Sequence, residues 1–287
     1  MRKLVTFVAA VIFLVAISFS VSATPNRPFS VQGTTYGSLN WGGYAFTSGS
    51  YSSVSGSWIV PEVNNSTTGY SSAWIGIGGF NGNTVIQIGT EQDCLSGSTT
   101  AGTMRFNVPN MNAIVSKQST NPGNGNHGGG NGGHGGSTTS SCTPTYDAWW
   151  EFYPQNAEQV ISGFTVKPGD IITASINRNN DNSWTLTIND ATTGQTYTIT
   201  ETPNFTPDVS SAETIVERPA LCMGNHCKIT DLADFGTLPF SSLSVGSQSF
   251  SGSDGIVMVN NGGSPLISLG SLTDGGSAFS ADWLASK

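Results

Sequence analysis

With 10 Lys+Arg against 18 Asp+Glu in 287 residues, a formal net charge of −8 and only 10% charged residues, the chain has no basic surface with which to neutralise phosphates, so nucleic acid is excluded as a partner. Thirty-six glycines and the absence of long helical periodicity point to a chain of short extended segments and turns. At this length one large β domain is affordable.

The N-terminus, MRKLVTFVAAVIFLVAISFSVSA, runs from Arg2 and Lys3 through an apolar stretch to the small-residue triplet Val21-Ser22-Ala23. This reads as a signal peptide over residues 1–23, cleaved near Ala23, which predicts a secreted, extracellular protein with no membrane contact after cleavage. Residues 24–39 are read as a short N-terminal or pro-segment, and residues 40–287 as a single β-sandwich domain. The expected oligomeric state is a monomer.

From Asn40 onward, stretches rich in Val, Ile, Thr, Trp and Tyr alternate with Gly/Ser/Asn turns, the spacing of a sandwich or barrel. Strands are predicted at SWIVPEV (57–63), SAWIGIG (72–78), TVIQIGT (84–90), YDAWWEFY (146–153) and DIITASIN (170–177). SWTLTIND, from Ser183, and QTYTITE (195–201) follow, joined by a hairpin loop running from Asn189-Asp190 to Gly194. Between about Lys117 and Ser141 the Gly/Asn/His-rich segment is too poor in apolar side chains to repay ordering, and is read as a surface loop carrying His127 and His134 as solvated residues. The region after Ser241 reads as terminal strands and turns without nameable chemistry.

Four cysteines in an exported chain favour two disulfides. Three pairings are possible on paper. Cys222 and Cys227 flank Met223-Gly224-Asn225-His226 and would close a tight hairpin, leaving Cys94 for Cys142. A zinc site built from Cys222, Cys227 and His226 lacks a second pair of ligands at suitable spacing, so no metal and no cofactor are expected.

Residues i, i+2 and i+4 of a strand share one face. In YDAWWEFY this puts Tyr146, Ala148, Trp150 and Phe152 on a core face, and Asp147, Trp149, Glu151 and Tyr153 on the other. Two carboxylates beside two aromatics suit a groove floor that binds a chain and performs polar work. By the same rule Ile86, Ile88 and Thr90 oppose Val85, Gln87, Gly89 and Glu91, and Glu213, Ile215 and Glu217 oppose Thr214, Val216 and Arg218. A serine triad has no suitable histidine, and no nucleophile elbow, HExxH helix or Walker loop is present. Carboxylate chemistry remains.

The segments NWGGY (40–44), AWIGIGG (73–79), VIQIGTE (85–91), YDAWWEFYP (146–154), SAETIVE (211–217) and ADFG (233–236) resemble, in order, the motifs of the glutamic peptidases, or eqolisins. The resemblance covers Asn40 to about Phe240 and rests most on YDAWWEFYP. It implies an all-β, concanavalin-like antiparallel sandwich of two bent sheets whose concave face binds polypeptide substrates. It also implies Gln87 and Glu213 as the catalytic pair, with Glu217 as the fallback for Glu213. Trp74 falls beside that pair, Glu91, Asp147 and Glu151 match the supporting acidic network, and Trp149 and Tyr153 share the face of the last two. The sequence departs from the pattern at Gly78 and Glu91, where aspartates are expected, and at Thr214, where tryptophan is expected. The rival from another class is a carbohydrate-binding or glycoside-hydrolysing sandwich, which would use carboxylates such as Glu151 and Glu213 and have no need of Gln87.

Overall fold

The computed structural model describes residues 34–96, 104–106, 141–223 and 226–287. The leader at 1–23, most of the segment at 24–39, and the Gly/Asn/His-rich stretch with His127 and His134 lie outside the described residues. In chain order the strands are β1 (Thr35–Ser38), β2 (Trp41–Phe46), β3 (Ser53–Ile59), β4 (Ser72–Gly78), β5 (Val85–Leu95), β6 (Met104–Phe106), β7 (Thr143–Tyr153), β8 (Gln159–Val160) and β9 (Ile171–Arg178). They continue with β10 (Trp184–Asp190), β11 (Gln195–Glu201), β12 (Ala212–Glu217), β13 (Ala220–Met223), β14 (His226–Ile229), β15 (Thr237–Val245), β16 (Asp254–Met258), β17 (Ile267–Leu269) and β18 (Phe279–Trp283).

Two large sheets face each other. One has eight strands in the order β1-β16-β2-β12-β4-β5-β7-β8, the other seven in the order β11-β10-β9-β3-β15-β18-β17. A three-stranded sheet, β14-β13-β6, stands apart. The fold is the all-β sandwich expected. Its pairings are antiparallel except at one edge, where β1 runs parallel to β16. The reason is topological: β1 and β2 run in opposite senses, and β16 inserts between them antiparallel to β2. The pairing of Thr35–Ser38 also brings part of the 24–39 stretch into the sheet.

The core between the sheets collects Ile75, Ile77, Ile86, Ile88, Ala148 and Phe152 from the eight-stranded sheet. Val54, Trp58, Ile172, Ile176, Leu186 and Phe240 oppose them from the seven-stranded one. The Trp58 indole N–H crosses the core to the Thr90 hydroxyl at 2.9 Å. Strands β10 and β11 show ordinary alternation, apolar inside and threonine outside. Every residue of β4, β5 and β12 is instead buried. A sandwich sheet normally leaves one face wet, so the outer face of these central strands is covered as well.

Two boundaries differ from the sequence reading. SWIVPEV stops being strand at Ile59, because Pro61 has no N–H to give the ladder. The strand instead begins at Ser53, in a Ser/Gly run that by composition resembles a turn. β5 extends to Leu95, its last residues held in register against β7 down to Leu95↔Thr143.

Both disulfides form as read. Cys94–Cys142 ties the end of β5 to the residue before β7 across 48 positions, and Cys222–Cys227 staples the β13–β14 hairpin. Closing 48 residues removes chain entropy from the unfolded state equivalent to roughly 4 kcal/mol. A Cys94→Ala/Cys142→Ala variant is therefore expected to unfold in denaturant with about 2–4 kcal/mol less stability; an unchanged midpoint would contradict this.

Candidate active site

Alternation along β12, β4, β5 and β7 carries polar side chains to the outer face of the eight-stranded sheet, and the register aligns them in transverse rows. The first row reads Glu213, Gly76, Gln87, Glu151, each directly opposite the next. The second reads Ile215, Trp74, Gly89, Trp149, and the third Glu217, Ser72, Glu91, Asp147. Two polar rows thus flank an aromatic one. Trp74, Trp149, Val85 and Ile215 form a separate apolar cluster with Trp41, and Tyr153 packs against it. The structure therefore brings together on one face Gln87, Glu213, Trp74, Glu91, Asp147, Trp149, Glu151 and Tyr153.

Gly76 gives the first row its shape. Adjacent strands lie about 4.8 Å apart, so Glu213 and Gln87, two strands apart, are separated by roughly 10 Å at the backbone. Any side chain between them would fill that gap. A Cβ built on Gly76 would meet the Trp74 ring at 2.6 Å and Glu213 Oε1 at 3.1 Å. The glutamate therefore leans over the glycine from one side, and the tryptophan's benzo edge covers it from another.

The two glutamates of β12 differ in their surroundings. Glu217 Oε1 accepts from the Asn40 amide at 3.0 Å, and its Oε2 accepts from the Trp74 indole N–H at 2.9 Å. Neither oxygen of Glu213 has a hydrogen-bond partner. Gln87 donates its amide N–H to Glu151 Oε2 at 2.7 Å, which fixes the direction of the amide.

Glu213 and Glu217 are both fully buried. Burial pushes the carboxyl of Glu213 well above the usual glutamate range; the Ser211 hydroxyl, outside strict hydrogen-bond geometry, opposes this, and the charge of Asp208 adds to it. Glu217 is also pushed well up by burial, against the pull of Asn40, with the charge of Glu151 adding and the two indoles Trp74 and Trp41 opposing.

Glu158, which strand reasoning passed over, joins the site from the turn before β8. It brings a carboxylate oxygen within 4.8 Å of those of Glu91 and Asp147. It lies off the strands, so alternation gave no signal for it. At Gly78, where an aspartate was expected, φ is +89° and a Cβ would lie 2.4 Å from the Asp208 carbonyl oxygen and 2.7 Å from that of Thr84. That space is already filled by backbone.

A profile of the peptidase A4 family matches residues 39–127 and 125–275. The chain belongs to the peptidase A4 family. Among curated relatives, the A4 peptidase is 25% identical to Scytalidopepsin B of Scytalidium lignicola over 230 residues, covering 78% of this chain and 70% of that one. It is 28% identical to Aspergillopepsin-2 of Aspergillus niger over 207 residues, 71% of this chain and 63% of that one. Its fold matches the crystal structure of scytalido-glutamic peptidase with a transition state analog inhibitor at a TM-score of 0.62 and 22% identity, over 86% of this chain and 98% of that one. Aspergilloglutamic peptidase from Aspergillus niger matches at 0.51 and 22%, over 75% and 99%. By class the A4 peptidase is a glutamic endopeptidase, which decides against the carbohydrate reading.

The buried glutamates give a sign for pH dependence. Their folded pKa values exceed the unfolded ones, so the stability they contribute is fully present below the ordinary glutamate range and lost as pH rises through the raised values. Asp181, lowered by its hydrogen bonds to Ser183, works in the opposite sense but is fully exposed. The melting temperature of the A4 peptidase is expected to be highest in acid and to fall toward neutral pH, with a shallower fall in Glu217→Gln. A melting temperature that rises from about pH 4 to 7 would contradict this.

Proposed function

We propose that the protein is a secreted acid endopeptidase in which Glu213 and Gln87 act together on a peptide bond. The observation that carries this is the first row: a desolvated carboxylate with no hydrogen-bond partner, two strands from an aimed amide, leaning over a glycine whose missing side chain lets it and the Trp74 ring lie between the two strands. Glu217 has the same burial, but both its oxygens are committed to Asn40 and Trp74, which supports Glu213 as the reacting group.

In this reading ionised Glu213 takes a proton from water, the resulting hydroxide attacks the scissile carbonyl carbon, and the C–O double-bond electrons move to oxygen. Gln87 donates to that oxyanion; an amide nitrogen has two N–H donors, of which Glu151 engages one and this role uses the other. The tetrahedral intermediate collapses with cleavage of the C–N bond, and Glu213 returns its proton to the leaving amine. A carboxyl that holds its proton above the ordinary glutamate range suits a group that must both take and give one. An amide donor does not titrate, so the oxyanion site survives in acid, where a histidine base would be charged.

Secretion is supported by the leader-like residues 1–23 and by two disulfides, which persist outside reducing compartments. Polypeptides are the proposed partners, and the chain works as a monomer without cofactor.

The test uses purified protein lacking residues 1–23 with denatured casein between about pH 2 and 7. Glu213→Gln and Gln87→Ala, each shown to be folded by a cooperative melting transition, are expected to lower kcat/KM by at least roughly 100-fold. The acid limb of the parent's kcat/KM profile is expected above the ordinary glutamate value. Substantial activity in either folded variant would sink the assignment.

A further inference from the structure

Leu39 and Asn40 join β1 to β2, and Asn40 is wholly buried. Its side chain is held at both ends. The Ser38 hydroxyl donates to its Oδ1 at 3.2 Å, which turns the amide nitrogen toward β12, where it donates to Glu217 Oε1 at 3.0 Å. The backbone is fixed as well: the Asn40 carbonyl accepts from the N–H of Arg218, one residue beyond Glu217, at 3.0 Å. Burying an amide and a carboxyl group is costly unless each serves the other, and a short link between two strands needs neither.

The line continues through Glu217. Its other oxygen, Oε2, accepts from the Trp74 indole N–H at 2.9 Å; a carboxyl group keeps acceptor capacity in either protonation state. An indole is a rigid plate with a single donor, so a hydrogen bond at its N–H also sets where its benzo edge lies. That edge lies at Gly76, where a Cβ would come within 2.6 Å of Trp74 Cζ3 and 3.1 Å of Glu213 Oε1. The ring of Trp41, next in sequence to Asn40, meets Trp74 edge to face with centroids 5.0 Å apart. Glu213 itself has no hydrogen-bond partner within strict geometry, so the place of its carboxylate depends on packing beside Gly76 and the Trp74 ring.

We propose that Asn40 is a positioning residue of the hydrolytic site: by holding Glu217 it fixes the Trp74 plate, whose far edge sets where the Glu213 carboxylate lies against Gly76. This rests on the reading of Glu213 as the reacting carboxylate. In this role Asn40 acts through two side chains, Glu217 and Trp74, and not on the substrate.

The experiment measures kcat and KM on a fluorogenic peptide that the parent cleaves, at one acid pH. The parent, Asn40→Ala, Trp74→Phe and the double variant are compared, each with a melting curve. Asn40→Ala is expected to lower kcat on the order of 10-fold with KM within about twofold, because a displaced reacting group slows the step without loosening the substrate. In the Trp74→Phe background the same change is expected to add less than about twofold, since the N–H through which it acts is gone. The Trp74 indole N–H resonance, identified by its loss in Trp74→Phe, is expected to shift in Asn40→Ala. Parental kcat or an unmoved resonance in folded Asn40→Ala, or losses that multiply in the double variant, overturns the proposal while leaving Glu213 in place. If Asn40→Ala fails to fold, Ser38→Ala, which releases the Asn40 side-chain oxygen and keeps its amide, carries the test with the same signs. Parental activity in Glu213→Gln would instead overturn the reading on which the proposal rests.

Discussion

A sheet face that keeps carboxylates out of water must offset the loss of hydration in some other way, and here that constraint shapes everything around β12. Glu217 recovers part of it through Asn40 and Trp74. Glu213 recovers none through hydrogen bonds within strict geometry, and so holds its proton well beyond the usual range. An isolated buried carboxylate of this kind is a liability for folding and an asset for chemistry. The surroundings admit it because Gly76 has no side chain to occupy the space it leans into, beside the ring of Trp74.

The same two-sided burial explains the glycines. Gly89 faces Trp74 across the ladder, and a Cβ there would lie 2.5 Å from the Trp74 Cβ and 2.4 Å from the Ala73 carbonyl oxygen. Gly76 is covered by the ring of the same tryptophan. Trp74 therefore joins the two acidic rows: its N–H holds Glu217 at one end, and its benzo edge lies over the gap between Glu213 and Gln87 at the other. A small residue on each side is what allows so large a side chain to lie flat along the sheet.

Much of this was legible in sequence because a strand is a ruler of period two. YDAWWEFY, TVIQIGT and AETIVE each sorted their residues correctly between core and outer face, and the cross-strand rows follow once the strands are placed side by side. What sequence alone could not supply was the order of strands in the sheet, which puts Gly76 between Glu213 and Gln87, and the residues that arrive from loops. Glu158 and Asp208 sit where no periodicity operates. The Ser/Gly start of β3 and the edge strand β1 were missed for the opposite reason: their stability comes from neighbours distant in sequence, not from β propensity of their own. Gly78 shows the limit of motif reasoning. Its departure from the expected aspartate has a steric cause in Asp208 and Thr84, both outside the motif.

The central claim is that Glu213 and Gln87 act as one unit across Gly76, and a double-mutant cycle in kcat/KM with Gln87→Ala, Glu213→Gln and the combined variant tests it most directly. Residues that serve one transition state lose their effects together, so the double variant is expected to be little worse than the more damaging single one. Losses that simply multiply, in variants that remain folded, would show that the two residues work independently and would contradict the account.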